Sequence, residues 1–213
     1  VKTMKKLVLL ISAFLLPILL LGQNITGIDQ ITPFNEGLAA IKKGDSWGFI
    51  NPEGELVIDF RNDLVWNEEG NKSETDVSSI AYPRFVDGRC MIKSTLEEEG
   101  IITYGFIDKS GSIVIEPEYL NLTEFKDGYA VGILVTKSFR GKNNFQLNIY
   151  DFKFSEVLID SKGDIMLLIN KRDGISMSTR RYERPSLMAK YLSRHSLAVK
   201  STENTWEIKP LNL

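Results

Sequence analysis

Residues 47–58 of the chain read WGFINPEGELVI, and residues 104–115 read YGFIDKSGSIVI. Both stretches place an aromatic residue and a glycine before two apolar residues, an Asx residue, and a second glycine three positions later. Asn51 and Gly54, like their counterparts in the second stretch, suit a tight turn, because an Asx side chain bonds nearby backbone and glycine accepts left-handed dihedrals. The Val-, Ile- and Phe-rich blocks on either side of the turn are typical of β-strands, so each stretch predicts a β-hairpin.

A second motif recurs ahead of each hairpin. Phe34, Glu36 and Gly37 have the form Phe, any residue, acid, glycine. The same form returns twice, as Phe85, Asp87 and Gly88 and as Phe125, Asp127 and Gly128. Self-similarity of this kind indicates an array of repeated supersecondary units.

Two further copies are less regular. Residues 156–167 read EVLIDSKGDIML, which keeps the turn at Gly163 but lacks the aromatic residue and the glycine that follows it. Leu197, Ala198 and Trp206 reproduce the spacing of Leu, Ala and Trp in the first copy and indicate a partial fourth copy. We therefore expect a regular first half and a degenerate second half.

These blocks resemble the WG-repeat family, whose Trp-Gly pair stands here as Trp47 and Gly48 and, drifted, as Tyr104 and Gly105. The resemblance implies an all-β array of degenerate hairpins that forms an extended antiparallel sheet assembly. It also implies a binding role, commonly in bacterial proteins, and no catalytic residues. The positions assigned to the repeat framework are Phe34, Gly37, Trp47, Gly48, Gly54, Phe85, Gly88, Tyr104, Gly105, Gly111, Phe125, Gly128 and Gly163.

The pattern divides the chain into four parts. They are a signal peptide at 1–22, a linker at 23–33, a WG-like β-repeat domain at 34–170 and a basic segment at 171–213. The three copies in the repeat domain are expected at about 34–60, 85–119 and 125–167. In the basic segment, Pro185 ahead of spaced apolar residues predicts one short amphipathic helix.

The N-terminus has the layout of a secretory signal peptide, because three lysines precede an apolar run from Leu7 to Leu21. The run of 15 residues is shorter than the roughly 20 that cross a bilayer. We expect cleavage after Gly22 and export to the periplasm or the extracellular space. The alternative is an uncleaved anchor in the inner membrane, which would be the chain's only membrane contact.

Charge and composition exclude some classes of function. Removing residues 1–22 would leave 23 basic and 28 acidic residues, a net charge of −5, which disfavours nucleic acid as a partner. With Cys90 and His195 as the single cysteine and histidine, no disulfide, no Cys-based metal cluster and no cofactor is predicted. Cys90 is expected to be a buried packing residue rather than a reactive thiol, and His195 an exposed residue after the helix.

The connections between repeats carry the predicted binding surface. Loops at 94–100 and 137–144 are longer than the equivalent connection at 43–45 in the first copy, and residues 61–82 form a further insertion. Elaborated loops on a rigid framework commonly carry function. The candidate contact residues are Trp66, Phe139, Arg140, Arg180, Arg181 and Arg184. We expect a non-catalytic module that binds a protein or a surface glycan, and the sequence indicates no oligomeric state.

Two other classes of function remain open at this stage. An exported hydrolase acting on glycan or peptide would use converging carboxylates, for which Asp87, Asp127 and Glu124 are the candidates. Because Asp87 and Asp127 are repeat positions, a structural role is favoured for both. The third class is a purely structural envelope protein without a discrete ligand.

Overall fold

The computed structural model describes residues 24–71, 73–201 and 203–212, which form thirteen strands in three antiparallel sheets. The first sheet has the order β1 (Gln30–Ile31), β2 (Ala39–Lys43), β3 (Ser46–Ile50) and β4 (Leu56–Arg61). The second runs, from edge to edge, β10 (Ile165–Arg172), β9 (Asn148–Asp160), β8 (Tyr129–Lys142), β7 (Ile113–Leu122), β6 (Ile101–Ile107) and β5 (Cys90–Leu96). The third is β11 (Ala189–Ser193), β12 (Ser196–Lys200) and β13 (Trp206–Pro210). The predicted all-β antiparallel fold is confirmed.

The recurring turn glycines have the backbone that the sequence pattern predicts. Gly54, Gly111 and Gly163 lie at φ values of 80°, 83° and 89°, a region in which other residues are strained. In the second copy, the Asp108 carboxylate accepts the backbone N–H of Ser112 at 3.1 Å. The Asx and glycine residues therefore build the turn itself.

The glycine after the aromatic residue is required by a close approach of two strands. A Cβ atom on Gly48 would lie 2.9 Å from the Ile58 carbonyl oxygen, and one on Gly105 would lie 2.3 Å from that of Ile115. In the third copy, Val157 occupies this position and is paired with Leu168 of β10, within the register that the first copy also has. The third copy therefore carries a side chain at the position where a Cβ atom would clash in the first two copies.

Successive copies pack through paired phenylalanines. The ring of Phe49 in the first copy meets Phe85 of the second, with centroids 4.8 Å apart. Phe106 of the second copy meets Phe125 of the third at 4.7 Å. Such aromatic pairs are worth about 0.5–1.5 kcal/mol beyond the area that they bury, so the Phe positions join neighbouring copies.

The acids of the same motif complete this joint. Glu36 accepts the backbone N–H of Gly88 at 2.9 Å, and Asp87 accepts that of Gly128 at 2.8 Å. Partial burial opposes ionisation of Glu36, but the bonds from Gly88 and Lys109 outweigh it and hold the pKa of Glu36 below its ordinary value. The Phe, acid and glycine positions together form the contact between one copy and the next.

The first copy lacks this joint on its outer side. Phe34 is 52% exposed, whereas Phe85 is 1% exposed. No copy precedes Phe34 in the part of the chain that the structure describes, so its ring has no aromatic partner from an earlier repeat. The equivalence that the sequence suggests for the three phenylalanines therefore holds for Phe85 and Phe125 only.

The helix predicted near Pro185 is wrong. Residues 173–188 cross one face of the second sheet without regular structure, and the chain then enters β11. We call residues 173–188 the strap. The apolar side chains of the strap pack on a buried cluster of the sheet that includes Leu120 and Ile133. Burial on this face and pairing of β11 with β12 outweigh the local helix signal.

The third copy has a buried glutamate at its aromatic position. Glu156 stands where the first two copies have Trp47 and Tyr104, and it is fully buried. Its carboxylate accepts the backbone N–H groups of Met188 and Ala189 at 2.6 and 2.9 Å and pairs with Arg172 at 2.9 Å. This substitution fixes the point at which the strap enters β11.

The insertion at 61–82 is packed more closely than an extended surface loop. Leu64 and Val65 bond to β5, with a bridge from Leu64 to Ile92 and a bond from the Val65 N–H to the Met91 carbonyl. A 3-10 helix, Val77–Ser79, adds a buried valine to the core. The insertion thus extends the packing between the first two copies.

The predicted signal peptide, residues 1–22, lies outside the described residues. Across the described ranges, the structure contains no helix of the length and apolar character that a membrane crossing requires.

Candidate binding surface

The β8–β9 hairpin projects beyond its counterparts in the other copies. Its strands have 14 and 13 residues, compared with 7 each for β5 and β6 and 5 each for β2 and β3. The ladder between them continues to the pair Lys142 and Asn148. A cross-strand ladder of this length carries the loop beyond the body of the sheet.

The turn at the end of this hairpin is shaped by one asparagine. The Asn143 side-chain oxygen accepts the backbone N–H groups of Phe145 and Leu147 at 2.9 and 3.0 Å. Gln146 takes the left-handed dihedral, with φ at 64°. This arrangement leaves the Phe145 ring 83% exposed.

The hairpin is braced by a charged cluster on the neighbouring β5–β6 turn. Lys137 forms ion pairs with Glu98 and, at 2.9 Å, with Glu99. The Lys137 ammonium lies 3.9 Å from the centroid of the Tyr150 ring, and the Tyr150 hydroxyl donates to Glu98 at 3.2 Å. The bond from Lys137 is the largest cause of a lowered pKa for Glu98.

We call the exposed end of this hairpin the tip surface. It is formed by Phe139, Arg140, Phe145, Leu147 and Tyr150. The Phe139 ring lies edge-on to Tyr150, with centroids 5.8 Å apart, and Arg140 approaches Asp151 at 3.6 Å. Aromatic residues and arginine are enriched in protein interfaces and dominate their binding energy.

The strap brings two further predicted contact residues to the same end of the molecule. The Thr179 hydroxyl donates to the Glu99 carbonyl oxygen at 2.5 Å, which fixes the strap turn beside the β5–β6 turn. Arg180 and Arg181 follow directly and are exposed. Of the six contact residues predicted from sequence, Phe139, Arg140 and these two arginines are therefore gathered at one end.

The other two predicted contact residues lie elsewhere. Trp66 packs edge-on against the buried Trp47 at 5.8 Å, with the Lys42 ammonium 4.1 Å from its ring. It therefore serves the core of the first copy. Arg184 approaches the Tyr104 hydroxyl at 3.4 Å and lines a shallow cleft beside Asp76.

A larger groove lies between the 61–82 insertion and the third sheet. Its volume is about 740 Å³, and tyrosines and charged side chains line it. Three of the charges are engaged within the chain: Arg84 pairs with Glu124 at 2.8 Å, and Lys126 donates to the Leu192 carbonyl at 2.9 Å. Much of the charge that lines the groove is therefore paired within the chain, whereas the tip surface exposes apolar side chains.

A family model for the WG containing repeat matches residues 28–46, 47–72 and 104–131. These segments are WG repeats. The second WG segment opens on Trp47 and Gly48, and the third opens on the drifted pair Tyr104 and Gly105. No curated protein and no solved structure matches the chain significantly.

The carboxylates considered for hydrolysis lie at joints of the WG repeats. Asp87 accepts the Gly128 N–H, and Glu124 is paired with Arg84. Asp127 holds the same left-handed backbone as Asp87, with φ values of 53° and 50°. These contacts give the acids structural roles.

The remaining chemically reactive side chains also have structural settings. Cys90 is buried in the core between the first two copies, and burial raises the pKa of its thiol. His195 is exposed in the turn between β11 and β12, where the sequence had predicted a position after a helix. Among the described residues, no group of three or more His, Cys, Asp or Glu side chains could hold a metal ion.

Three residues of the tip surface were missed in the sequence. Phe145, Leu147 and Tyr150 lie beyond the 137–144 loop that the repeat comparison marked. The alternation of Phe145, Leu147 and Ile149 after two asparagines is the signal that indicates a hairpin turn followed by a strand.

Proposed function

We propose that this WG-repeat chain is a non-catalytic binding module of the bacterial cell envelope that captures a protein partner on its tip surface. The observation that carries the proposal is the exposure of Phe139, Phe145 and Leu147 on a hairpin that is braced by Lys137. Exposed apolar residues on a rigid, charge-braced support favour a protein interface, because the support loses little conformational freedom when it binds.

The arginines of the strap support the same role. Arg140 lies on the tip surface, and Arg180 and Arg181 follow Thr179, which bonds to the β5–β6 turn, so exposed positive charge lies at this end of the molecule. A partner with an apolar patch and acidic residues around it would complement this surface. Export is part of the proposal and rests on the N-terminal sequence pattern.

A shortened hairpin tests the proposal. Ser138 and Asp151 are paired across the hairpin, so Asn-Gly in place of residues 139–150 would close it with a two-residue turn. We expect this variant to lose capture of the partner from envelope extract and to lose binding of the identified partner in calorimetry. Its β circular dichroism and its melting temperature should stay close to those of the unmodified protein.

The matched control is Ile208→Ser, which removes another exposed apolar side chain, on β13. Capture should be unchanged in this variant. Full affinity of the shortened hairpin for the same partner would contradict the proposal, and so would capture of glycan with no protein partner.

A further inference from the structure

The strand β10 forms an outer edge of the second sheet, and its register against β9 shifts between Ile165 and Leu167 and between Leu168 and Asn170. It pairs with β9 on one side and with no other strand of the described chain on the other. Its first four residues are apolar and exposed, at 53%, 43%, 38% and 51% for Ile165, Met166, Leu167 and Leu168. Exposed apolar strands at a sheet edge are templates for pairing with another chain.

In the first two copies, the residue equivalent to Leu167 is covered by the turn of the next copy. Ile58 and Ile115 take the position of Leu167 in the first two copies, and both are buried. The turn glycine of the next copy covers each: Gly111 lies against Ile58 and Gly163 against Ile115, with a Cβ at either glycine falling 3.3 Å from the isoleucine. No described turn covers Leu167.

The position after Leu167 is acidic in the first two copies and apolar in β10. The strands read LVID in β4, IVIE in β7 and IMLL in β10, so Asp59 and Glu116 correspond to Leu168. A charge on an edge strand opposes pairing with a second chain. The third copy thus lacks the acid that the first two copies carry at this position.

Two other outer edges of the described sheets, β13 and β5, are protected. Strand β13 alternates apolar residues with Glu207 and Lys209 and ends at Pro210. Strand β5 is covered by the bridge from Leu64 to Ile92. Strand β10 therefore differs from β5 and β13 in being both apolar and uncovered by another strand of the described chain.

We propose that β10 pairs with β10 of a second copy of this chain, antiparallel across a two-fold axis, and joins the two six-stranded sheets. An axis at Leu167 places the partner's Leu168 opposite Met166 and the partner's Ile169 opposite Ile165. Apolar side chains then face one another on both strands, and Asp164 falls opposite the partner's Asn170 without a like charge. The strand is self-complementary, which is what a closed two-fold dimer requires.

This dimer is independent of partner capture at the tip surface and can be tested separately. Analytical ultracentrifugation of the purified protein over a concentration series should show a monomer–dimer equilibrium. Leu168→Glu restores the acid found in the other two copies, and it should shift the equilibrium at least tenfold toward monomer. Ile208→Glu places the same charge on an exposed apolar position of β13 and should leave the equilibrium unchanged.

A cross-linking variant tests the strand pairing independently of Leu168→Glu. Under mild oxidation, Leu167→Cys should form an intermolecular disulfide, because the axis brings the two copies of this residue together, whereas Leu147→Cys should not. The native Cys90 is buried and does not compete. A monomer at all concentrations, or a dimer that survives Leu168→Glu, would overturn the proposal. An intramolecular cross-link between Leu167→Cys and a cysteine placed within residues 1–23 would also overturn the proposal, because β10 would then pair within one chain.

Discussion

At the scale of single residues, Glu156 shows that one repeat position can have different structural roles in different copies. Where the first two copies bury an aromatic ring, the third buries a carboxylate with four oxygen lone-pair sites to satisfy. Two backbone N–H groups and Arg172 satisfy it. A buried charge is tolerated only with such partners, so Glu156, Arg172 and the entry to β11 depend on one another.

Replacing this carboxylate tests that dependence. Glu156→Ala should destabilise the protein by about 3–5 kcal/mol, because Arg172 loses its partner and two backbone donors lose their acceptor. Urea unfolding followed by circular dichroism measures the change. Glu156→Gln keeps an acceptor and should lose less stability than Glu156→Ala. Glu53→Ala, on an exposed turn, is the control and should change stability by no more than about 0.5 kcal/mol.

The glycine of the aromatic-glycine pair gives a second prediction. Gly105→Ala should destabilise the protein by about 2 kcal/mol or more, because the new methyl group meets the backbone of Ile115 and one strand must move. Thr95→Ala, on the exposed side of the adjacent β5, serves as the control. Equal midpoints of urea unfolding for the two variants would show that the strands do not approach as closely as described.

At the scale of elements, the β8–β9 hairpin depends on the ionised form of Glu98. Its pKa is lowered by Lys137, so this contribution is complete above the ordinary value of 4.5 and is lost as the pH falls through the lowered value. The protection of the backbone amides at residues 138–150 from hydrogen exchange, relative to their intrinsic rates at each pH, should therefore decrease below about pH 4.5. In Glu98→Gln, exchange there should be faster at neutral pH and should lose this acid-dependent step.

The joints between copies give a prediction that separates positions with the same sequence motif. Phe85→Ala should destabilise the protein by about 3–5 kcal/mol, because the ring is buried against Phe49. Phe34→Ala should cost less than about 1 kcal/mol, since half of that ring is already exposed. Thermal unfolding of both variants measures the difference, and equal losses would mean that Phe34 is covered in solution.

At the scale of the whole molecule, sequence reasoning reaches the parts that local chemistry determines. Turns at Gly54, Gly111 and Gly163 follow from Asx and glycine spacing, and the all-β class follows from the repeated strand pattern. The path of the strap does not follow, because it depends on Glu156 and on an apolar sheet face that only tertiary packing creates. Likewise, Arg180 and Arg181 lie at the same end as Phe139 and Arg140 only because the strap crosses the sheet and bonds to Glu99.

The separation of the strands into three sheets has a mechanical consequence. The first sheet contacts the second through side-chain packing and the short bridge from Leu64 to Ile92, so no long ladder of backbone bonds joins them. Pulled from its two ends, the chain should release this sheet as one step and keep the six-stranded sheet intact. In a force spectrum the molecule would lengthen in stages, and an assembly that links it to a cell surface would yield gradually under load.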